Sequence, residues 1–186
     1  DDALTAGGDY SGSPEFFDGT EIYNGTAWAE INNLNTARNQ LRGVGTTTAS
    51  LVFGGDTPPS TGATESWNGY TWTEVNDLNT ARASLESAGN QTAALAFGGS
   101  GPTAVTWNGS SWTEVNDLNT ATQQLAGVGS DNTSGLVFAG ETPSEVYTAK
   151  TESWNGTNWS NDQDVNTARN NLGGAGTQPS AIAFGG

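Results

Sequence analysis

Short apolar runs that end in glycine return at a regular spacing along the chain. Leu51-Val52-Phe53 leads into Gly54-Gly55, and Leu95-Ala96-Phe97 leads into Gly98-Gly99. The pattern returns before Gly140 and Gly186. A short, continuously apolar run is typical of a strand that is covered on both faces. We name this predicted strand b.

Two segments of alternating polarity follow each strand b and flank an Asn-Gly pair. Thr64-Glu65-Ser66-Trp67 and Thr71-Trp72-Thr73-Glu74-Val75 surround Asn68-Gly69. Asn-Gly between alternating segments is a strong signal for a tight β-hairpin, because both residues tolerate a positive φ. We name the two predicted strands c and d.

An Asn-Thr-Ala-Arg segment comes next, at 35–38, 79–82 and 166–169, with Asn-Thr-Ala-Thr at 119–122. The small residues that follow, such as 83–89, predict a strand a that turns into the next strand b. A helix capped by the Asn-Thr pair is the alternative. The glycines in segments such as 170–176 argue against a long helix, because glycine is a poor helix former.

These elements make one repeat of about 44 residues, a period typical of stacked or radial copies of a small unit. We predict an all-β fold and a single domain, 1–186, with repeats at 9–55, 56–99, 100–140 and 141–186. The stretch from the c–d hairpin to the next glycine pair keeps its length from copy to copy. The b to c loop varies in length, since the glycine pair and the next hairpin aromatic lie at 8 and 23, 55 and 67, 99 and 107, and 140 and 154. In a four-stranded meander the b to c and d to a loops share one side. Insertions on one side often mark a binding face.

A glycine pair, then an aromatic residue, then a Trp about five residues later resembles the kelch repeat of β-propellers. The resemblance covers nearly the whole chain, and two copies carry it best: Phe53-Gly54-Gly55 with Trp67 and Trp72, and Phe97-Gly98-Gly99 with Trp107 and Trp112. Trp in place of Tyr at the first aromatic, and Ala139-Gly140 in place of a glycine pair, are departures. The amino-acid sequence of the repeat, Trp-Asn-Gly followed by Trp-Thr-Glu-Val-Asn-Asp-Leu-Asn-Thr-Ala-Arg, also resembles kelch-like arrays in virion structural proteins of marine bacteriophages.

The resemblance implies a β-propeller of four-stranded blades. Four blades are expected if strands a and b of 171–186 join strands c and d of 21–31 in one sheet, which would also cover the open sheet edges. The segment 2–8 is then a surplus, degraded strand b. Five blades, or part of a longer array, are the alternatives.

The amino-acid composition excludes or disfavours several classes of function. The 186 residues include 26 Gly, 5 Lys plus Arg and 20 Asp plus Glu, for a net charge of −15, and lack Cys, Met and His. This charge disfavours nucleic acid as a partner, and no apolar run is long enough for membrane insertion. Disulfides, thiol nucleophiles and imidazole ligands are excluded. The first residues, which lack Met, favour a processed or excised chain.

Candidate ligand-binding residues fall into two groups. Arg38, Arg82 and Arg169 share one repeat position, where they either ring the channel mouth and bind acidic groups or satisfy carbonyls and carboxylates such as Asp77 or Asp164 between blades. Tyr10, Phe16, Phe17, Tyr70 and Tyr147 interrupt the repeat and are candidates to contact a ligand. Trp28, Trp72, Trp112 and Trp159 are predicted to pack between blades. Tyr23, Trp67, Trp107 and Trp154, beside the turns, are predicted to be partly exposed.

The predicted function is a non-enzymatic structural and binding module of a virion appendage or decoration, which recognises a host surface or partner protein through the b to c and d to a loops. A secreted lectin or adhesin is the alternative. A glycoside hydrolase is a weaker one, because no carboxylate pair stands out. We expect no cofactor and no metal, an extracellular or virion location, and other virion or surface proteins, glycans or further copies of the chain as partners.

Overall fold

The computed structural model describes residues 2–9, 16–99 and 101–186, and these residues form strands, turns and bends without a helix. The predicted all-β fold is confirmed. No helix in this part of the chain is long and apolar enough to cross a bilayer. The chain divides into two compact units, Asp1–Ala83 and Ser84–Gly186, which are described separately.

The first unit holds a three-stranded sheet, β1-β2-β3, and a four-stranded sheet, β4-β5-β6-β7, both antiparallel. Its strands are β1 (Ala3–Asp9), β2 (Phe16–Tyr23), β3 (Trp28–Ile31), β4 (Arg42–Thr46), β5 (Ala49–Phe53), β6 (Thr64–Trp67) and β7 (Trp72–Val75).

The second unit holds two four-stranded sheets, β8-β9-β10-β11 and β12-β13-β14-β15, and a two-stranded sheet, β16-β17. Its strands are β8 (Leu85–Asn90), β9 (Ala93–Gly98), β10 (Ala104–Trp107), β11 (Trp112–Glu114), β12 (Ala126–Asp131), β13 (Ser134–Phe138), β14 (Thr151–Trp154), β15 (Trp159–Asn161), β16 (Leu172–Thr177) and β17 (Ser180–Gly185).

Each four-stranded sheet follows the predicted order a, b, c, d, with chain neighbours paired. The b to c register is the same in every copy: Ser50 pairs with Trp67, Ala94 with Trp107 and Gly135 with Trp154. The c–d hairpins close as predicted. Oδ1 of Asn68 accepts hydrogen bonds from the amides of Tyr70 and Thr71, and Gly69 has a φ of 93°. Asparagine supplies the acceptor and glycine the positive φ that this turn needs.

The small residues of strand a have a packing reason that is visible in the second unit. There β12 contacts both β8 and β16, so the a strands of consecutive sheets lie side by side. A Cβ on Gly127 would lie 2.5 Å from Cζ of Phe97, and one on Gly129 would lie 2.7 Å from Cβ of Ala88. Larger side chains would push the sheets apart.

Two strand d tryptophans, Trp72 and Trp159, pack between consecutive sheets, as predicted. Trp72, Trp112 and Trp159 are buried. Nε1 of Trp72 donates to Oγ1 of Thr20 on the preceding sheet (3.1 Å), and the ring of Trp159 meets Phe97 with centroids 5.3 Å apart. Trp28 differs, because its side chain is 51% exposed.

The prediction of partial exposure was wrong for the tryptophans beside the turns. Trp67, Trp107 and Trp154 are among the largest fully buried side chains. Each indole N–H donates to a carbonyl in the neighbouring a–b turn, at Thr47, Gln91 and Asn132 respectively, and all three distances are 3.0 Å. The ring therefore folds back over that turn, and the N–H is satisfied inside the protein.

The structure of the described residues does not contain the predicted sheet in which strands of 171–186 pair with strands of 21–31. Among the described residues β17 pairs with β16 alone, while β2 pairs with β1 and β3. The surplus strand b predicted at 2–8 is present as β1. It uses the repeat's register, with Ala3 opposite Tyr23, and occupies the edge of β2 that closure would need.

Candidate functional site

Arg38 is held in a buried ion pair. Its Nη1 donates to Oε1 of Glu65 on β6 at 2.8 Å, and neither side chain is exposed. Its backbone carbonyl accepts from the amide of Gly8. Arg38 therefore links the β1–β3 sheet to the β4–β7 sheet. Burial lowers the pKa of Arg38, and the Glu65 carboxylate opposes that shift. An arginine side chain stays protonated in proteins.

The Glu65 carboxylate also holds the start of the Asn-Thr-Ala-Arg segment. Its Oε2 accepts from the backbone and side-chain nitrogens of Asn35, at 2.7 and 2.8 Å. Glu152 does the same in the second unit, accepting from both nitrogens of Asn119 and from the amide of Thr120. The acid therefore fastens the linker between sheets even where the segment carries Thr122 in place of Arg.

The other two arginines share the backbone contact. Gly55 donates to the carbonyl of Arg82, and Gly140 donates to that of Arg169. Arg82 is buried, whereas Arg169 is partly exposed and its Nε has no hydrogen-bond partner among the described residues. In the strand c that follows Arg82 the sequence has Val105 at the position of Glu65.

Of the two roles set out for the arginines, Arg38 has the structural one. Its partner is Glu65 rather than Asp77, and sequence reasoning missed this acid. The signal was present: Thr-Glu-Ser-Trp occurs at 64–67 and again at 151–154. Asp77, Asp117 and Asp164 have a different common role, since each accepts a hydrogen bond from the first amide of strand c in its own sheet.

The predicted aromatic candidates do not form one cluster. Tyr10 lies outside the described residues. Phe16 and Phe17 begin β2, Tyr70 lies in the β6–β7 turn, and Tyr147 lies in the β13–β14 loop. Tyr70 is 79% exposed and Tyr147 is 56% exposed.

Tyr70 lies at the end of its sheet that carries the c–d and a–b turns. A Cβ on Gly69 would lie 3.5 Å from the Thr48 carbonyl oxygen, which shows that the two turns are adjacent. The carbonyl of Tyr70 accepts from Nδ2 of Asn32. The b to c loop is at the other end of the same sheet. Tyr70 therefore belongs to a different face from the loop aromatics.

The β13–β14 loop, residues 139–150, is the best-defined candidate surface. Two exposed apolar side chains, Val146 and Tyr147, project from a framework of backbone hydrogen bonds. Thr142 donates to the Val146 carbonyl, Thr148 donates to the Gly140 carbonyl, and Ala139 donates to the Lys150 carbonyl. Backbone hydrogen bonds within the loop therefore fix its conformation, and they hold Val146 and Tyr147 in a defined position at the surface. We call residues 142–148 the Tyr147 loop.

Acidic side chains fasten the base of this loop. Oε1 of Glu141 accepts from Gln123 and Oε2 accepts from Asn170, while the backbones of Gln123 and Glu141 exchange two hydrogen bonds. Nearby, Nζ of Lys150 donates to Asp164 at 2.9 Å, and this contact lowers the pKa of that carboxyl. The pair is exposed and is screened by solvent.

The corresponding loop of the first unit, 54–63, has the same attachment. Asn39 and Asp56 exchange two backbone hydrogen bonds, as Gln123 and Glu141 do in the second unit. Thr61 donates to the Gly55 carbonyl. The shared attachment with different loop lengths matches the predicted rigid frame with a variable b to c face.

The first unit also has a cavity of about 440 Å³. It lies between β1 and the β4–β5 hairpin, and its walls combine aliphatic side chains with polar and charged ones, among them Asp2, Arg42 and Ser50. The lining residues include Ala3, Leu4, Ala6, Leu41, Val44 and Val52.

Within the described residues no group of three or more acidic side chains is placed to hold a metal ion. No protein-family model matches the chain, and the comparison with curated proteins gives no match.

Proposed function

We propose that the chain is a non-enzymatic structural and binding module built as a kelch-like β-propeller. In this proposal it is an appendage or decoration protein of a virion, and it recognises a host surface or a partner protein through its b to c and d to a loops. The observation that carries the proposal is the Tyr147 loop, in which Val146 and Tyr147 are exposed on a hydrogen-bonded framework.

Two features support a recognition role for this loop. Val146 and Tyr147 are adjacent and both more than half exposed, and contiguous exposed apolar side chains mark interaction sites more than scattered ones do. A loop whose backbone is already fastened also loses little conformational entropy when it binds. The same repeat frame carries loops of other lengths, so the surface can vary without disturbing the sheets.

A glycan-binding lectin or adhesin is the second candidate, and the exposed ring of Tyr147 favours it. An aromatic face stacks on the apolar face of a sugar, and the nearby Glu145 and Thr142 supply polar groups for hydroxyls. This candidate uses the same loop but a different class of partner. Its affinity must therefore appear with isolated glycans.

The test is binding of the labelled chain to intact host-type cells and, in parallel, to a glycan array. The loop variant is Val146→Ser with Tyr147→Ser. Its matched control is Tyr70→Ser, which removes a tyrosine at least as exposed from the opposite end of a sheet. Both variants are first compared with the parent chain by circular dichroism, because only folded variants are informative.

Saturable cell binding that the loop variant loses and the Tyr70 variant keeps supports recognition by the Tyr147 loop. Binding to a narrow glycan class with the same dependence identifies a lectin. Cell binding that survives the loop variant removes the loop from the proposal. No saturable binding in either assay contradicts a recognition role for the isolated chain.

A further inference from the structure

In the part of the chain that the structure describes, β17 has an unpaired outer edge, and it exposes apolar side chains whose counterparts in other sheets are buried. Ile182 is 67% exposed and Phe184 is 55% exposed. At the same repeat positions, Leu51 and Phe53 on β5 and Leu95 and Phe97 on β9 are fully buried. Among the described residues this edge of β17 pairs with no strand, whereas β5, β9 and β13 each pair there with a strand c. An unpaired edge beside exposed apolar side chains is a template for strand addition.

The segment before β16 indicates which strand would pair there. Glu65, which lies on the strand c of the following sheet, accepts hydrogen bonds from Asn35 and from Nη1 of Arg38. Asn166 and Arg169 hold these positions before β16, and within the described residues neither side chain donates to a carboxylate. The matching partner for β17 is therefore a strand c that carries a glutamate.

The β2–β3 hairpin of this chain has those features. Its Thr20-Glu21-Ile22-Tyr23 segment repeats the pattern of 64–67, and Glu21 is exposed. Tyr23 and Trp28 form the same tilted pair as Trp67 and Trp72, with centroids 5.4 and 5.2 Å apart. Trp28, unlike its three counterparts, is half exposed. The β2–β3 hairpin therefore has the sequence of a full c–d hairpin, but its Glu21 and Trp28 are exposed where the counterparts Glu65 and Trp72 are buried.

The strand that now pairs with β2 is a poor copy of strand b. β1 has Ala6 at the position that is Phe53, Phe97, Phe138 and Phe184 elsewhere, and its pairing with β2 shifts register between Ala6 and Gly8. Ala6 packs in a cluster with Trp72. In the second unit the residue at this position is Phe97, whose ring meets Trp159 at 5.3 Å. β17 would supply that missing ring through Phe184.

The cavity next to β1 gives an independent reason. It lies between β1 and β4, on the side of β1 where a strand a would pair. In the second unit the a strands β8, β12 and β16 lie against one another. A β16–β17 pair that replaced β1 would therefore place β17 beside β2 and β16 in this cavity, next to β4. The glycine-rich β16, Leu172–Thr177, has the small side chains that this packing requires.

We propose that a second copy of this chain is the partner of β17. The β16–β17 hairpin of one copy displaces β1 of the next, pairs with its β2 and completes a four-stranded sheet across the two copies. The register follows the repeat: Ile182 lies opposite Ile22, as Leu51 lies opposite Ser66 and Leu136 opposite Ser153. Glu21 of the second copy then accepts from Asn166 and Arg169.

The chain contains no cysteine, so a pair of introduced thiols reports this register directly. One copy carries Ile22→Cys and a differently tagged copy carries Ile182→Cys. The two are mixed and oxidised, and the mixed disulfide is quantified by mass. Directly opposed residues on neighbouring strands are close enough for a disulfide. The control replaces Ile182→Cys with Ala183→Cys, whose side chain points to the other face of the strand.

We expect a mixed disulfide whose yield rises with concentration, and at least several-fold less of it with Ala183→Cys. Adding Glu21→Gln to the Ile22→Cys copy should lower the yield several-fold, whereas Glu30→Gln, which removes the same charge on β3, should not. The proposal is overturned if the Ile22→Cys copy and the Ile182→Cys copy do not cross-link when they are mixed. It is also overturned if the disulfide forms only when a single chain carries both thiols, because the pairing would then lie within one copy. Equal yields with Ile182→Cys and with Ala183→Cys would also overturn the register.

Discussion

Nη1 of Arg38 lies 2.8 Å from Oε1 of Glu65, and both side chains are completely buried. The pair joins a linker that follows β3 to a strand of the next sheet. Two more donors, from Asn35, fill the second oxygen of the carboxylate. A buried charge that is paired and hydrogen-bonded is tolerated, but one that loses its partner is costly.

Glu65→Gln should therefore destabilise the protein more than Glu152→Gln. The first change leaves the Arg38 cation buried without its counter-charge, at a cost of about 3–5 kcal/mol. The second leaves no unpaired charge, but the Asn119 and Thr120 donors use both carboxylate oxygens and a glutamine offers only one, so a neutral donor loses its acceptor at a cost of about 1–3 kcal/mol. Urea unfolding followed by fluorescence measures both.

The exposed pair Lys150 and Asp164 is the control for this comparison, and Lys150→Met should change stability little. If Glu65→Gln and Glu152→Gln have equal effects, the ion pair of Arg38 does not dominate the junction. Arg38→Met with Glu65→Met should recover part of the loss of the single variants, because no unpaired charge then remains.

Trp28 should account for most of the fluorescence that a water-soluble quencher can reach. It is half exposed, whereas the other six tryptophans are buried. Trp28→Phe should lower acrylamide quenching sharply and leave the unfolding midpoint almost unchanged. Trp67→Phe should keep the quenching and cost about 1–3 kcal/mol, because the Thr47 carbonyl loses its indole donor. Unchanged quenching in Trp28→Phe would contradict the exposure.

The strand order was predictable from the sequence because its signals are local. Asn68-Gly69 defines a hairpin within a few residues, and Gly54-Gly55 marks the end of a buried strand. The Arg38–Glu65 pair was not predictable in this way, since 27 residues separate the two partners. The burial of Trp67 was missed because the residue adjoins an exposed turn, while its ring points back over a different turn. The exposure of Trp28 depends on which strands surround its sheet, which no local pattern encodes.

Gly129 should not tolerate alanine. Its Cβ would lie 2.2 Å from the Ser134 carbonyl oxygen and 2.7 Å from Cβ of Ala88, and backbone cannot move aside cheaply. Overpacking of this kind costs about 1–3 kcal/mol. Gly101→Ala is the matched control, because no atom lies within 4 Å of its Cβ and we expect almost no loss of stability. Thermal or urea unfolding of the two variants measures the difference, and equal stability would show that β8 and β12 pack less closely.

The β12–β13 turn should give a specific acid dependence to stability. Hydrogen bonds from the hydroxyl and amide of Thr133 lower the pKa of Asp131. A carboxyl whose pKa is lower in the folded chain stabilises the fold above its unfolded pKa of about 3.9. That contribution disappears as the pH falls through the folded pKa. Asn90 occupies the same turn position between β8 and β9 and accepts the same hydrogen bonds without a titrating group.

Asp131→Asn should therefore be slightly less stable than the parent chain at pH 7 and equal to it once the pH is well below both pKa values. Asn90→Asp is the reciprocal variant. It should gain stability relative to the parent as the pH rises through the same acid range, because it places a carboxylate where three donors already point. Urea midpoints between about pH 2 and pH 7 test both changes. If the two variants follow the parent chain in parallel across this range, the Thr133 hydrogen bonds do not favour the ionised carboxylate.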